Sequence, residues 1–209
     1  MLLRDAHFIK GVCKVREKGN RGLFMVWQDS GVVLHYKLLA ERGCVVTLLT
    51  REHGRHKGLV LSRKTCFFHA SQVEVTWQSR IEEHLGVFKM DQPYGYALML
   101  LAHPGAMKIL ALMCMMCFYL LPERLVVPGV YEHFSATLHA LGGKRALYAY
   151  ALFETTLLQE LGHDVPPLHP LLLHSLQERH PLVIAYWPHL SELHAARQHF
   201  LEDIAKALS

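Results

Sequence analysis

The apolar pattern of this chain changes period near Asp91, and that change constrains the fold more than any other feature. Before it, Val32 to Leu38 and Cys44 to Leu49 are short β-branched and aliphatic runs separated by Ala40-Glu41-Arg42-Gly43, the composition of a hairpin. His53-Gly54 offers a turn, Lys57 to Leu61 a third strand, Gln72 to Trp77 an alternating, half-buried fourth, and Leu85 to Met90 a fifth. Five short strands in so short a stretch suit a small barrel, and the five-stranded OB barrel is the natural match. Beyond Asp91, Tyr96–His103, Ala106–Leu121, Val130–Leu141 and Arg145–Leu161 have helical lengths and spacings, with Pro122, Pro128, Gly142-Gly143 and Gly162 as stops and starts. Leu147, Tyr150, Ala151, Glu154, Leu157, Leu158 and Leu161 recur at three- and four-residue steps, the mark of one buried helix face. Ser191–Leu208 reads as a closing amphipathic helix with Ser191 as N-cap, whereas the Pro- and His-rich stretch Asp164 to Leu190 carries no assignment. The expected fold is therefore α+β: an OB-like barrel over residues 27–92 and an all-helical domain over 93–209. Residues 1–26 are read as a basic extension with no clear element, a candidate disordered arm.

Half of the 209 residues are apolar and about a fifth are charged, which supports a packed core and argues against disorder over most of the length. The most lipid-like stretch, Leu98 to Leu121, is interrupted by His103, Pro104, Gly105 and Lys108, and its remainder is too short to span a bilayer. Arg4, Asp5 and His7 stand where a signal peptide needs an apolar run, so a cytoplasmic protein with free thiols is expected. Cys114 and Cys117 form a C-x-x-C, but they lie inside an apolar helix without a second ligand pair, and burial is the better reading.

The net charge of +4 is unevenly spread. Met1 to Val26 carries +4, Trp27 to Leu49 balances at zero, Thr50 to Lys64 carries +4 through Arg51, Arg55, Lys57, Arg63 and Lys64 against Glu52, and the remainder comes to −4. A polyanion would be steered to the first third of the chain, a split that favours nucleic acid over membrane. The plainer reading of Thr50–Lys64 is a solvated hairpin.

Other chemistries find little footing. The sixteen histidines include no metal-binding helix pair four apart with a following glutamate, and His169/His174 and His189/His194/His199 are spaced by five. No metal site and no cofactor are expected. A nucleophile elbow is absent, Gly142-Gly143-Lys144 is followed by Arg145 where a phosphate loop needs Ser or Thr, and a hydrolase using histidines or Cys66 is the weakest of the readings. What remains is a cationic segment on a small barrel, where charges track the phosphate backbone and aromatic faces stack on bases. Arg51, Arg55, Lys57, Arg63 and Lys64 would supply the charges, His53 and His56 would donate to phosphate, and Phe67, Phe68 and Trp77 are stacking candidates that serve equally as core.

These residues also resemble a known family. The run WQDSGVVLHYKLLAERGCVVTLLTREHGRHKGLVLSRK (Trp27 to Lys64) is similar to the opening of RecO proteins, in which a D-x-G-x-V-L strand leads to a T-R-E-H-G-R-H-x-G-L-V hairpin. VEVTWQSRIEEHLGVFK (Val73 to Lys89), LLPER (Leu120–Arg124) and LYAYALFETTLLQELG (Leu147–Gly162) continue it in order. The resemblance implies an OB fold and a helical domain, no enzymatic activity, binding to single- and double-stranded DNA, strand annealing, and partnership with RecR and with the acidic, phenylalanine-ended C-terminal tail of single-stranded DNA-binding protein, in a monomer that makes no membrane contact. It implies that Arg51, His53, Arg55, His56 and Lys57 face DNA and that Gly54 and Gly58 serve the turn. Lys108, Arg124 and Arg145 are candidate anchors for the partner tail. The sequence departs from the family in a short Val60–Val73 linker, in a cysteine-free Asp164–Leu190 where relatives can carry a zinc module, and in Met1–Val26. An adaptor that keeps the helical body but has weakened DNA binding is the alternative function.

Overall fold

A computed structural model of the chain describes residues 7–9, 12–16, 23–39, 43–61, 69–81, 84–91, 94–95, 103–166, 168 and 172–208. Two compact units emerge: Met1–Gly95 together with Pro122–Val126, and Tyr96–Leu121 together with Val127–Ser209.

The first unit is built from β1 (His7–Ile9), β2 (Val12–Arg16), β3 (Leu23–Leu39), β4 (Gly43–Thr50), β5 (Gly54–Val60), β6 (Ser71–Ser79), β7 (Val87–Met90) and β8 (Tyr94–Gly95). Strands β3, β4, β5, β7 and β6 close into a ring: β5 meets β7 in parallel at Leu59↔Val87, the other neighbours are antiparallel, and β6 returns to β3. This is the five-stranded OB-like barrel that the alternating runs predict. The long β3 makes closure possible, because Met25–Val32 pairs with β6 and Gly31–Leu39 with β4, with a register shift between Val33 and His35. Trp27, Val33, Val46, Leu48, Val75, Trp77 and Phe88 fill the interior. Gly58 faces this core, where a Cβ would lie 2.5 Å from the Phe88 ring, so its service is clearance inside the barrel and not turn geometry. The N-terminal extension, expected to lack elements, contributes β1 and β2. Cys13–Arg16 alternates apolar and polar residues, and β3 runs on to offer the strand an edge, with Cys13↔Val26 and Arg16↔Leu23 in register.

The second unit contains α1 (Pro104–Leu120), α2 (Pro128–Ala140), α3 (Ala146–Glu160), α4 (Leu172–Tyr186) and α5 (Ser191–Leu208). Proline opens α1 and α2, where its missing N–H costs no helical bond. Leu110, Met113, Cys114, Met116 and Cys117 of α1 are all buried, as an apolar C-x-x-C helix predicts. Helix α4 occupies the stretch left unassigned from sequence, where Pro181 within the helix and a weakly amphipathic pattern hide the period. The expected helix Tyr96–His103 lies outside the described residues except for His103, which precedes α1.

A charged cluster is sealed in this unit. Arg197 donates to both oxygens of Glu154 at 2.8 and 3.1 Å, and the Tyr150 hydroxyl donates to Glu154 Oε2 at 2.7 Å. Arg179, also fully buried, donates to the carbonyls of Pro166 (3.0 Å) and Ala151 (3.4 Å). Burial and the Glu154 charge raise the Tyr150 phenol well above its ordinary range. Burial lowers the Arg179 guanidinium from its usual value, while at Arg197 the pull of Glu154 outweighs burial and raises it.

No helix among the described residues is long and apolar enough to cross a membrane.

Candidate nucleic-acid interface

The turn Arg51–His53 and strand β5 carry the predicted cations, and a strand's two-residue period sorts them by face. Gly54, His56, Gly58 and Val60 are buried, whereas Arg55, Lys57 and Leu59 are partly exposed. Arg55 and Lys57 therefore project outward, with the exposed Arg51 at the turn ahead of them. The Arg51 guanidinium makes only a long contact to Glu52, 3.8 Å, with both side chains largely in solvent.

His56 does not face DNA. It points into the barrel, 4% exposed, with its ring edge-on to Trp27 and Trp77 at 5.1 Å. Among the described residues neither ring nitrogen has a hydrogen-bond partner. Burial, followed by the charges of Arg124 and His53, lowers its pKa to about 3, so at neutral pH it is an uncharged core residue. Trp77 is also core, not platform: it is 1% exposed and its indole N–H donates to the Leu85 carbonyl at 3.1 Å.

His53 braces the turn. Its ring stacks on Trp27 at a centroid distance of 4.0 Å, and Nδ1 donates to Asp29 Oδ2 at 3.0 Å. The same carboxylate accepts the Glu52 N–H and the Ser30 N–H, each at 2.8 Å. Burial alone would raise the Asp29 pKa, but the His53 hydrogen bond, the two N–H donors and the His53 charge together hold it below the ordinary value. Thr50 closes the turn from within, donating to the Gly54 carbonyl at 2.9 Å and accepting the His53 N–H at 3.2 Å. Gly54 sits at φ +66°, and any Cβ there would lie 2.0 Å from the Leu125 carbonyl oxygen. The D-x-G and T-R-E-H-G motifs, distant in sequence, are thus two halves of one braced hairpin.

The Pro122–Val126 segment lies along β5. Arg55 and Glu123 form a parallel bridge, the Arg124 N–H donates to the Arg55 carbonyl at 2.8 Å, and Lys57 Nζ pairs with Glu123 at 3.2 Å. Arg124, expected as a partner anchor on the helical body, therefore belongs to the barrel unit. Sequence reasoning gave no signal for this placement, because the segment reads only as a Pro-marked break between two helices. Lys108, a second expected anchor, pairs with Asp203 of α5. The third, Arg145, is exposed at the start of α3. Arg63, Lys64, Cys66, Phe67 and Phe68 lie outside the described residues. Among the described residues no group of three or more metal-ligating side chains converges.

The β3–β6–β7 side of the ring differs in character. Gln28, Glu74, Thr76, Lys89 and Asp91 line a shallow polar pocket of about 310 Å³ there, in which two acids outnumber one lysine.

Comparison with known proteins agrees with this geometry. Residues 25–91 match the family model described as Recombination protein O N terminal. The chain is 32% identical over 147 residues to the DNA repair protein RecO of Ruegeria sp. (strain TM1040), covering 68% of this chain and 61% of that protein. It is 35% identical over 145 residues to the RecO of Rhodopseudomonas palustris (strain BisB18), covering 66% and 56%, and 35% identical over 147 residues to that of Rhodospirillum rubrum, covering 65% and 58%. The chain spans about three fifths of the length of the curated relatives it matches. Residues 25–91 are a RecO N-terminal domain, and across about two thirds of its length the chain is a member of the family of bacterial DNA repair proteins RecO.

Proposed function

We propose that this chain is a DNA-binding recombination mediator without bond-making chemistry of its own, which holds single- and double-stranded DNA by charge neutralisation, promotes annealing, and acts with RecR in the cytoplasm. The observation that carries the reading is the braced hairpin: Asp29, Thr50 and Trp27 fix a turn from which Arg51 and Arg55 project beside Lys57, on one side of a closed barrel. Pre-ordered cations bind a polyanion with less loss of side-chain and loop freedom. Arg51 and Arg55, with Arg63 and Lys64 from the same basic run, supply four or five phosphate contacts once a further cation is counted. That number predicts a log–log salt slope of about −3 for a single strand, at about −0.7 per contact. Fluorescence anisotropy of a labelled oligonucleotide against NaCl concentration tests it, and a flat response would leave the adaptor reading in its place.

The helical unit supports partner binding. A groove of about 480 Å³ is floored by Ala106, Ile109, Leu147, Phe200 and Ile204 and rimmed by His103 and Lys144. An apolar floor beneath a cationic rim suits a short acidic peptide ending in an aromatic residue, the chemistry of the tail of single-stranded DNA-binding protein. Arg145, next in sequence to Lys144, is the one expected anchor that fits this position. Pull-down with the tail intact or deleted checks the assignment.

A further inference from the structure

We propose that Arg124, delivered by the Pro122–Val126 segment, is a phosphate-contacting residue of the same DNA surface, and that Glu123 clasps the segment to Lys57. The inference rests on the DNA-binding reading above and extends it to a residue some seventy positions away from the hairpin.

Three observations carry it. First, the segment is held in register against β5: the parallel bridge Arg55↔Glu123 and the bond from the Arg124 N–H to the Arg55 carbonyl set Arg124 beside the outward cations, not elsewhere on the barrel. Second, the charges are divided between the two residues. Glu123 is taken up by Lys57, each about a third exposed, whereas Arg124 Nη2 donates to the neutral His84 carbonyl at 3.2 Å, and among the described residues no carboxylate pairs with Arg124. A guanidinium has five donors in a planar fork suited to phosphate oxygens, and one bond to a carbonyl leaves that capacity mostly unused. Third, Arg124 adopts φ +64°, a left-handed conformation in which an L side chain is strained and glycine is not. Packing alone would be better served by glycine at this position, so the side chain is present at a conformational cost. The same placement explains why the Arg124 charge is felt at His56 across the strand.

The strain supplies a clean experiment. Arg124→Gly removes the guanidinium while relieving the backbone, so the variant should fold at least as well, with a melting temperature raised by about 2 °C. In the full chain, binding of a fluorescein-labelled single-stranded oligonucleotide of mixed sequence should weaken about three- to tenfold at low salt, and the salt slope should shrink by about 0.7. Lys206→Ala, an exposed position on α5 of the helical unit, should leave both unchanged. Wild-type affinity and slope in Arg124→Gly, with a normal slope in the wild-type chain, would overturn the Arg124 assignment alone. A wild-type chain with no slope would instead remove the DNA-binding reading beneath it. A loss of affinity accompanied by a lowered melting temperature would show a structural role and count against the assignment, and Arg124→Lys, which keeps the charge, should retain most of the slope.

Discussion

Each unit of this protein buries a carboxylate, and the two are used in opposite ways. Asp29 lies at the rim of the barrel and accepts two backbone N–H groups and the His53 ring, so its charge is held by dipoles and by one half-buried imidazole. Glu154 lies in the helical interior and meets a fully buried arginine in a two-pronged pair, with a second buried arginine in the same cluster. The first arrangement orders a surface loop and leaves cations outside it. The second ties α3 to α5 and presents nothing to solvent. A buried charge is tolerated in both places, but only the barrel converts it into an exposed surface.

The contrast can be broken most severely at Glu154. Glu154→Ala leaves two buried guanidinium groups without their anion, and should destabilise the helical unit by about 3–5 kcal/mol, read as an early transition in urea denaturation. DNA affinity of the molecules that remain folded should not change.

Acid should reach the barrel through a different residue. The pKa of His56 is about 3 in the folded chain against an ordinary 6.5, so between those values the unfolded chain binds a proton that the folded chain does not. Stability is complete above pH 6.5 and declines as the pH falls toward 3, by on the order of 4 kcal/mol over the interval. Equilibrium unfolding measured at several pH values should show this decline, and His56→Leu, which has no nitrogen to protonate, should flatten it.

Asp29→Asn gives the smallest expected change in stability, about 1.5–3 kcal/mol, because the amide can still accept some of the bonds while losing their charge assistance. Its informative effect is on DNA: loosening the turn should weaken oligonucleotide binding, which Glu154→Ala should not do. Equal DNA effects from the two substitutions would erase the distinction between a loop-ordering and a helix-tying carboxylate.

The barrel and the helices were legible in the sequence because burial writes its period there: two in Gln72–Trp77, near 3.6 in Leu147–Leu161. Even Glu154 left a trace, as a charged residue within an otherwise apolar stripe, a position that demands a buried partner. Its partner Arg197, 43 positions along the chain, could not be identified, because the stretch between them carries no record of which helix faces which. The hairpin charges were read as a group and not sorted by face. Alternation along β5 sends His56 inward and Arg55 and Lys57 outward, and the strand begins at Gly54, three residues earlier than its apolar run suggests. The bracing role of His53 was not legible, because a histidine among arginines reads as one more donor to phosphate, while its stacking partner Trp27 and acceptor Asp29 come from another strand.

The seam along β5 has a practical corollary. The residues that complete it come after an entire helix, so the barrel unit is discontinuous along the polypeptide, and no single scission separates it whole from the helical unit. Cutting after Gly95 would strip β5 of the neighbour that meets Arg55 and leave a raw edge of the kind that recruits other chains. A fragment that holds the whole barrel unit has to reach Val126, or receive the missing five residues as a separate peptide.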